Sequence, residues 1–256
     1  MMEVRQIQKG NWLVEVKSED KRKIACIVNK LKTKTKLEPY GKWRNMGSED
    51  IWEDVLGQFC VMGSARPIEK LQANTQRYNE FLKKLSLETL TKMTLARKEY
   101  IAKQLKEYKA TRFHNKIAER INNCLENEEI VKYGKIVFLE NLKKQEMLDE
   151  DTMRDILLEK LPFFKMKSIS DFMITIGAAR GFIAFDTRVV GLLNEHFELN
   201  VELDEIQYDE VLYKRIERKL GDVCGELGIE LSLLDKMLFE FSGISAIEYI
   251  LETECV

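Results

Sequence analysis

Apolar residues recur every three or four positions along most of the chain, the period of helices that bury one face. Ile51, Trp52, Val55, Leu56 and Phe59 form such a stripe behind Ser48, which reads as a helix cap. Glu49, Asp50 and Glu53 follow in the first turn, where acids suit the positive end of the helix dipole. The same logic predicts a helix from Pro67 to about Leu85 and another that starts at Ser86-Leu87-Glu88 and continues over 90–108. Two more cover 114–126 and 135–147, separated at Gly134. Helices then follow over 149–160, ended by Pro162, over 168–176, stopped by Gly177, and over 186–197. The last ones cover 208–227, with Asp209 or Asp204 as its cap, then 231–241 and a tail at 246–252. Residues 4–16 and 24–31 mix alternation with short apolar runs and read equally well as a small β-ribbon or a first helix. Residues 32–48, with Pro39, Gly41 and Gly47, read as a loop, and 181–185 as a strand-like run leading into Asp186.

The predicted class is therefore all-α for the most part, with room for a small N-terminal β-ribbon. Three prolines in 256 residues leave long helices uninterrupted, and no apolar stretch reaches the roughly 18 residues of a membrane span. The first eleven residues carry charges where a signal peptide needs an apolar core, so a cytoplasmic protein with no membrane partner is expected. Five cysteines (Cys26, Cys60, Cys124, Cys224 and Cys255) are scattered and form no CxxC pair, so reduced buried thiols are expected. His114 and His196 are the only histidines, with no acids or cysteines at ligand spacing, and neither a metal nor another cofactor is expected. The absence of P-loop, GxGxxG and GxSxG motifs argues against nucleotide-dependent and serine-hydrolase chemistry.

Net charge is −2, but it is unevenly spread. Lys92 to Arg120 holds nine Lys/Arg against three glutamates, whereas Glu198 to Glu210 holds six acids and no cation. Such polarity gives a near-neutral protein one basic face, although solvated helix faces would look the same.

One stretch carries candidate chemistry. Leu161-Pro162-Phe163-Phe164-Lys165-Met166-Lys167 lies between two predicted helices, and Asp186 follows nineteen residues after Lys167 at the start of another helix. A turn between helices can present amides or a lysine such as Lys165 to a phosphate. A neutral lysine amine can attack carbon 1′ of a deoxyribose, displace the base and form a Schiff base. Burial against Phe163, Phe164 and Met166 would help to deprotonate it. A carboxylate opposite the amine would stabilise positive charge growing on the sugar. Spacing by itself fits a surface lysine and an ordinary cap equally well.

Residues 161–186 resemble the helix-hairpin-helix/Gly-Pro-Asp superfamily of DNA glycosylases, above all its bifunctional 8-oxoguanine members. Leu161, Pro162, Lys167 and Asp186 fall on the pattern Leu-Pro-Gly-x-Gly-x-Lys, helix, loop, Asp, and Asp171 matches a polar position of the helix. The two hairpin glycines are replaced by Phe163 and Lys165. Asp54-Val55-Leu56-Gly57-Gln58 is similar to the helix end whose last residue fills the gap left by a flipped base. Arg112-Phe113-His114-Asn115-Lys116 and Leu234-Asp235-Lys236-Met237-Leu238-Phe239 resemble two further segments, in the right order.

The resemblance implies a two-lobed helical fold, with 1–47 plus 150–256 forming one lobe, 48–149 a central bundle, and a cleft between them. It implies Lys167 and Asp186 as catalytic residues, Gln58, Lys165 and Arg112 as DNA contacts, and Phe239 and Phe241 as walls of a base pocket. The expected activity is excision of a damaged base, such as an oxidised purine, by a monomer acting on double-stranded DNA. Two alternatives stay open: a monofunctional glycosylase using water and Asp186, and a helical DNA-binding or interaction module without catalysis.

Overall fold

A computed structural model describes residues 2–8, 11–145, 148–241 and 246–254. The chain opens with a two-stranded antiparallel ribbon, β1 (Glu3–Gln8) and β2 (Asn11–Glu15), in which Val4 faces Val14 and the register shifts between Gln6 and Gln8. Helix α1 (Ser18–Leu31) follows. The two readings left open by the sequence thus resolve differently, 4–16 as ribbon and 24–31 as helix. In α1 the carboxylate of Asp20 accepts the N–H of Lys17 at 3.2 Å and satisfies one exposed amide of the first turn, while Ile24, Ile27, Val28 and Leu31 are buried.

A short 3-10 turn (Lys42–Asn45) leads to α2 (Ser48–Val61), α3 (Arg66–Gln72), α4 (Thr75–Lys84), α5 (Leu87–Thr91), α6 (Arg97–Glu107) and α7 (His114–Glu126). A hairpin of β3 (Val131–Lys132) and β4 (Lys135–Ile136) precedes α8 (Val137–Lys143) and α9 (Glu150–Lys160). The remaining helices are α10 (Met166–Thr175), α11 (Thr187–Phe197), α12 (Leu203–Tyr208), α13 (Glu210–Glu226), α14 (Leu231–Phe241) and α15 (Ala246–Glu254). Among the described residues no helix is long and apolar enough to cross a membrane.

Several predicted helices are shorter than the apolar period implied, and local chemistry explains the breaks. The helix expected from Pro67 to Leu85 divides at Asn74, whose side chain accepts the amide of Arg77 and starts α4 afresh. The helix expected over 86–108 divides between Thr91 and Arg97, where Ala96 takes a left-handed φ of 53°. The helix expected over 135–147 loses its first residues to β4, because Tyr133 and Gly134, both at positive φ, make the tight turn that closes the hairpin. Ser48 does not cap α2. Its hydroxyl accepts the Ile136 amide, and Asp50 instead holds the amide of Gly47.

Two compact units result: 1–40 with 164–256, and 41–163. The boundaries expected at 47/48 and 149/150 move for identifiable reasons. Arg44 donates to the carbonyls of Lys143 and Gln145, and the Lys143 ammonium reaches the Met46 carbonyl. At the other end, Lys160 pairs with Glu129, and the Phe163 ring lies 6.1 Å from that of Phe59. These interactions attach 41–47 and α9 to the second unit.

The second unit is organised around α2, which packs on α3, α5 and α7. Its Trp52 is fully buried and donates to the Leu85 carbonyl, and Glu49 caps α5 from outside by accepting the amides of Leu87 and Glu88. In the first unit, α13 packs on β2 and α14 on α1 and α11. Trp12 donates to Asp209 at 2.7 Å, while the other oxygen of Asp209 caps α13. Cys60, Cys124 and Cys224 are free, and burial pushes each thiol up to about 12. Cys26 is disulfide-bonded, which corrects the expectation of a reduced thiol at that position. Cys255 lies outside the described residues.

Candidate active site

Asp186 owes its position to an extended segment that forms no strand. Residues 181–185 have strand-like composition, but side chains take up the amides of the last three. The Ile183 amide donates to Glu217, the Ala184 amide to Asp235 and the Phe185 amide to the Tyr213 hydroxyl, which itself donates to the Ile183 carbonyl. The Gln207 side chain donates to the Phe185 carbonyl. Polar groups of α12, α13 and α14 thus replace a neighbouring strand and satisfy backbone groups that would otherwise be costly to bury. The Phe185 and Tyr213 rings meet edge to face at 4.8 Å, a contact worth about 0.5–1.5 kcal/mol. With this segment fixed, Asp186 caps α11, as its predicted position implied, one oxygen accepting the amides of Arg188 and Val189 at 2.9 Å each.

Lys167 stands in the first turn of α10. Its side chain and Asp186 line one pocket of about 210 Å³, together with Asp171, Ala184, Asp235 and Phe239. The pocket therefore sets two lysines, Lys167 and Lys236, among three carboxylates. The Lys167 ammonium donates to Asp171, one helical turn on, at 2.7 Å. Burial pushes the pKa of the amine down, but the charge and hydrogen bond of Asp171, aided by Asp186 and Asp235, outweigh it and hold the amine above its ordinary value. This corrects the expectation that burial frees the amine. The supposed apolar wall of residues 163, 164 and 166 does not line the pocket.

Asp235 is the most constrained of the three acids. It is buried and accepts the Ala184 amide at 2.8 Å. Burial pushes its carboxyl well above the usual range, and the Ala184 hydrogen bond only partly opposes this. An acid inside the apolar stripe Leu234, Met237, Leu238 was its signal in the sequence. Phe239, 37% exposed, forms part of the rim, with the Arg188 guanidinium 4.4 Å from its ring centre. Phe241, expected beside it, does not line the pocket.

The other expected DNA contacts lie apart from this pocket. Lys165 is exposed and rests its ammonium 3.4 Å from the centre of the Tyr208 ring. Gln58 is 8% exposed, and its side-chain oxygen has no partner among the described residues. Arg112 is exposed at a groove of about 550 Å³ in the second unit. Arg66, Lys70, Arg77, Lys106 and Lys109 share that groove, and no carboxylate lines it. Arg66, Lys70 and Arg77 were missed in the sequence because they lie outside the basic stretch 92–120.

No family model and no curated protein matches the sequence. Solved structures do match. The 8-oxoguanine glycosylase/lyase of Methanocaldococcus jannaschii, in complex with a 15mer DNA containing 8-oxoguanine, aligns with a TM-score of 0.64 at 16% identity, covering 86% of this chain and 95% of that one. The 8-oxoguanine DNA glycosylase of the same organism aligns with a TM-score of 0.60 at 16% identity, covering 86% and 92%. The chain has the fold of an 8-oxoguanine glycosylase/lyase. It is a mostly helical glycosylase fold with a small N-terminal ribbon, as the sequence implied. Within this fold, the pocket that joins Lys167 to Asp186 sets an amine beside carboxylates and an aromatic rim.

Proposed function

We propose that the protein is a DNA glycosylase with lyase activity, removing a damaged base such as an oxidised purine from double-stranded DNA. One observation carries the reading: Lys167 and Asp186 line the same pocket, with Phe239 at its rim. The fold supports it, as does the 8-oxoguanine-containing duplex bound by one structural neighbour.

In this reading the damaged nucleotide turns out of the stack and its base packs on Phe239. The neutral amine of Lys167 attacks carbon 1′ as the bond to the base breaks. Asp186, held at the helix start by two amides, offsets the positive charge growing on the sugar. Loss of a proton next to the resulting Schiff base then cuts the strand by β-elimination. Duplex phosphates near the pocket are taken by Lys165 once it leaves Tyr208, and the cation-lined groove that contains Arg112 offers the second unit a phosphate-binding surface of its own. Filling of the vacated stack by Gln58 would require that side chain to leave its burial.

Borohydride reduction during reaction with duplexes carrying oxidised or abasic sites tests the proposal. A covalent protein–DNA adduct that disappears in Lys167→Ala is expected. The Lys167–Asp171 ion pair favours a second reading, in which the amine stays protonated and Asp186 directs water. Base release without an adduct, unaffected by Lys167→Ala, would select it.

A further inference from the structure

The proposed nucleophile is tied up in the protein as it stands. An ammonium has no lone pair, so Lys167 must give up a proton before it can attack, and the surroundings hold that proton on. Of the groups around it, Asp186 and Asp235 each already commit an oxygen to backbone amides, at 2.9 Å and 2.8 Å. Lys236 and Arg188, the cations at this pocket and its rim, cannot accept a proton. Among the described residues Asp171 alone is hydrogen-bonded to the amine, through Oδ2 at 2.7 Å, and it lines the same pocket. Its side chain is 32% exposed and shares a helix face with Lys167, so the pair is set by the helix geometry rather than by a mobile loop.

Resting on the glycosylase/lyase reading above, we propose that Asp171 is the general base that takes the proton from Lys167 as the amine attacks. An Nζ–H bond of the ammonium breaks and its proton moves along the existing hydrogen bond to Oδ2 of Asp171. The freed lone pair forms the bond to carbon 1′, and the bond between carbon 1′ and the base breaks with its electron pair leaving on the base. The base takes up one proton from solvent, which balances the proton held by Asp171. As the ion pair is neutralised, Asp186 remains charged opposite the sugar, so the two acids divide the work. Asp171 handles the proton and Asp186 the developing cation.

Single-turnover trapping of the adduct across pH, with the full chain and a duplex carrying the lesion, tests this. Asp171→Asn keeps the side chain's size and is expected to slow adduct formation about 10²-fold at neutral pH. The deficit should narrow as the solution is made alkaline, because hydroxide replaces the lost base, and Asp171→Glu should recover most of the neutral rate. A structural role would lower the rate equally at every pH. If Asp171→Asn traps as fast as the parent or faster at neutral pH, the ion pair only suppresses the nucleophile and the proposal is overturned. A pH-independent deficit also overturns it. Failure of the unaltered protein to form any adduct would instead remove the lyase reading itself, and this inference with it.

Discussion

Two depressions of this protein are built for opposite charges. The pocket in the first unit gathers three carboxylates, Asp171, Asp186 and Asp235, around Lys167. The groove in the second unit gathers six Lys/Arg side chains, Arg112 among them, and no acid. Neither follows from the overall charge of −2. Clustered like charges repel, and a fold keeps them where something of the opposite sign is met. A cation growing on a sugar suits the first, and a polyphosphate strand suits the second. Asp186 and Asp235 are anchored through backbone amides and Asp171 is held by Lys167, whereas the cations of the groove are exposed. Chemistry requires fixed charge, while sequence-independent grip does not.

The largest effect that can break this contrast is expected at Asp186. Asp186→Asn preserves helix capping, since asparagine caps as well as aspartate, but removes the charge. Base release in single-turnover assays should fall by roughly 10²–10³-fold with little change in unfolding midpoint. Asp186→Ala should lose the same activity and also about 1 kcal/mol of stability. If Asp186→Asn retains activity, the carboxylate is a cap and nothing more.

Asp235 sharpens the anchoring half of the comparison. Asp235→Ala orphans the Ala184 amide and should cost about 1–3 kcal/mol in urea unfolding. Asp235→Asn keeps an accepting oxygen. Because burial raises the folded-state pKa of Asp235, its stabilising influence is fully present below the unfolded value and is lost as pH rises through the folded one. Asp235→Asn should therefore flatten that decline and be at least as stable as the parent at neutral pH.

A smaller effect is expected in the groove. Arg66→Ala with Lys70→Ala should weaken binding to duplexes with or without a lesion, and reduce the salt slope by about 0.9 for each phosphate that is no longer neutralised. The trapping rate at saturating DNA should stay unchanged. A loss confined to lesion-bearing duplexes would assign these cations to base recognition instead.

Much of this could be read in the sequence. The cap at Asp186 and the helix over 149–160 followed from local patterns, whereas Lys167 and Asp186 were paired by the resemblance and not by their spacing. What could not be read depends on distant partners. The run 181–185 has strand composition, yet its hydrogen bonds come from Glu217, Asp235 and Tyr213, between 28 and 51 residues away. The direction in which the Lys167 pKa moves was misread because hydrophobic neighbours in sequence suggested an apolar wall, while an acid one helical turn away outweighs burial. The groove draws Arg66, Lys70 and Arg77 from stretches that alone are ordinary in charge. Gln58 kept its place on α2 but faces inward.

The covalent bond itself offers the most direct test. Borohydride-reduced protein, freed of DNA by nuclease and digested to peptides, should carry the sugar remnant on the side chain of Lys167 when mapped by fragmentation mass spectrometry. A remnant on any other lysine, or on the amino terminus, with Lys167 unmodified, would contradict the site described above.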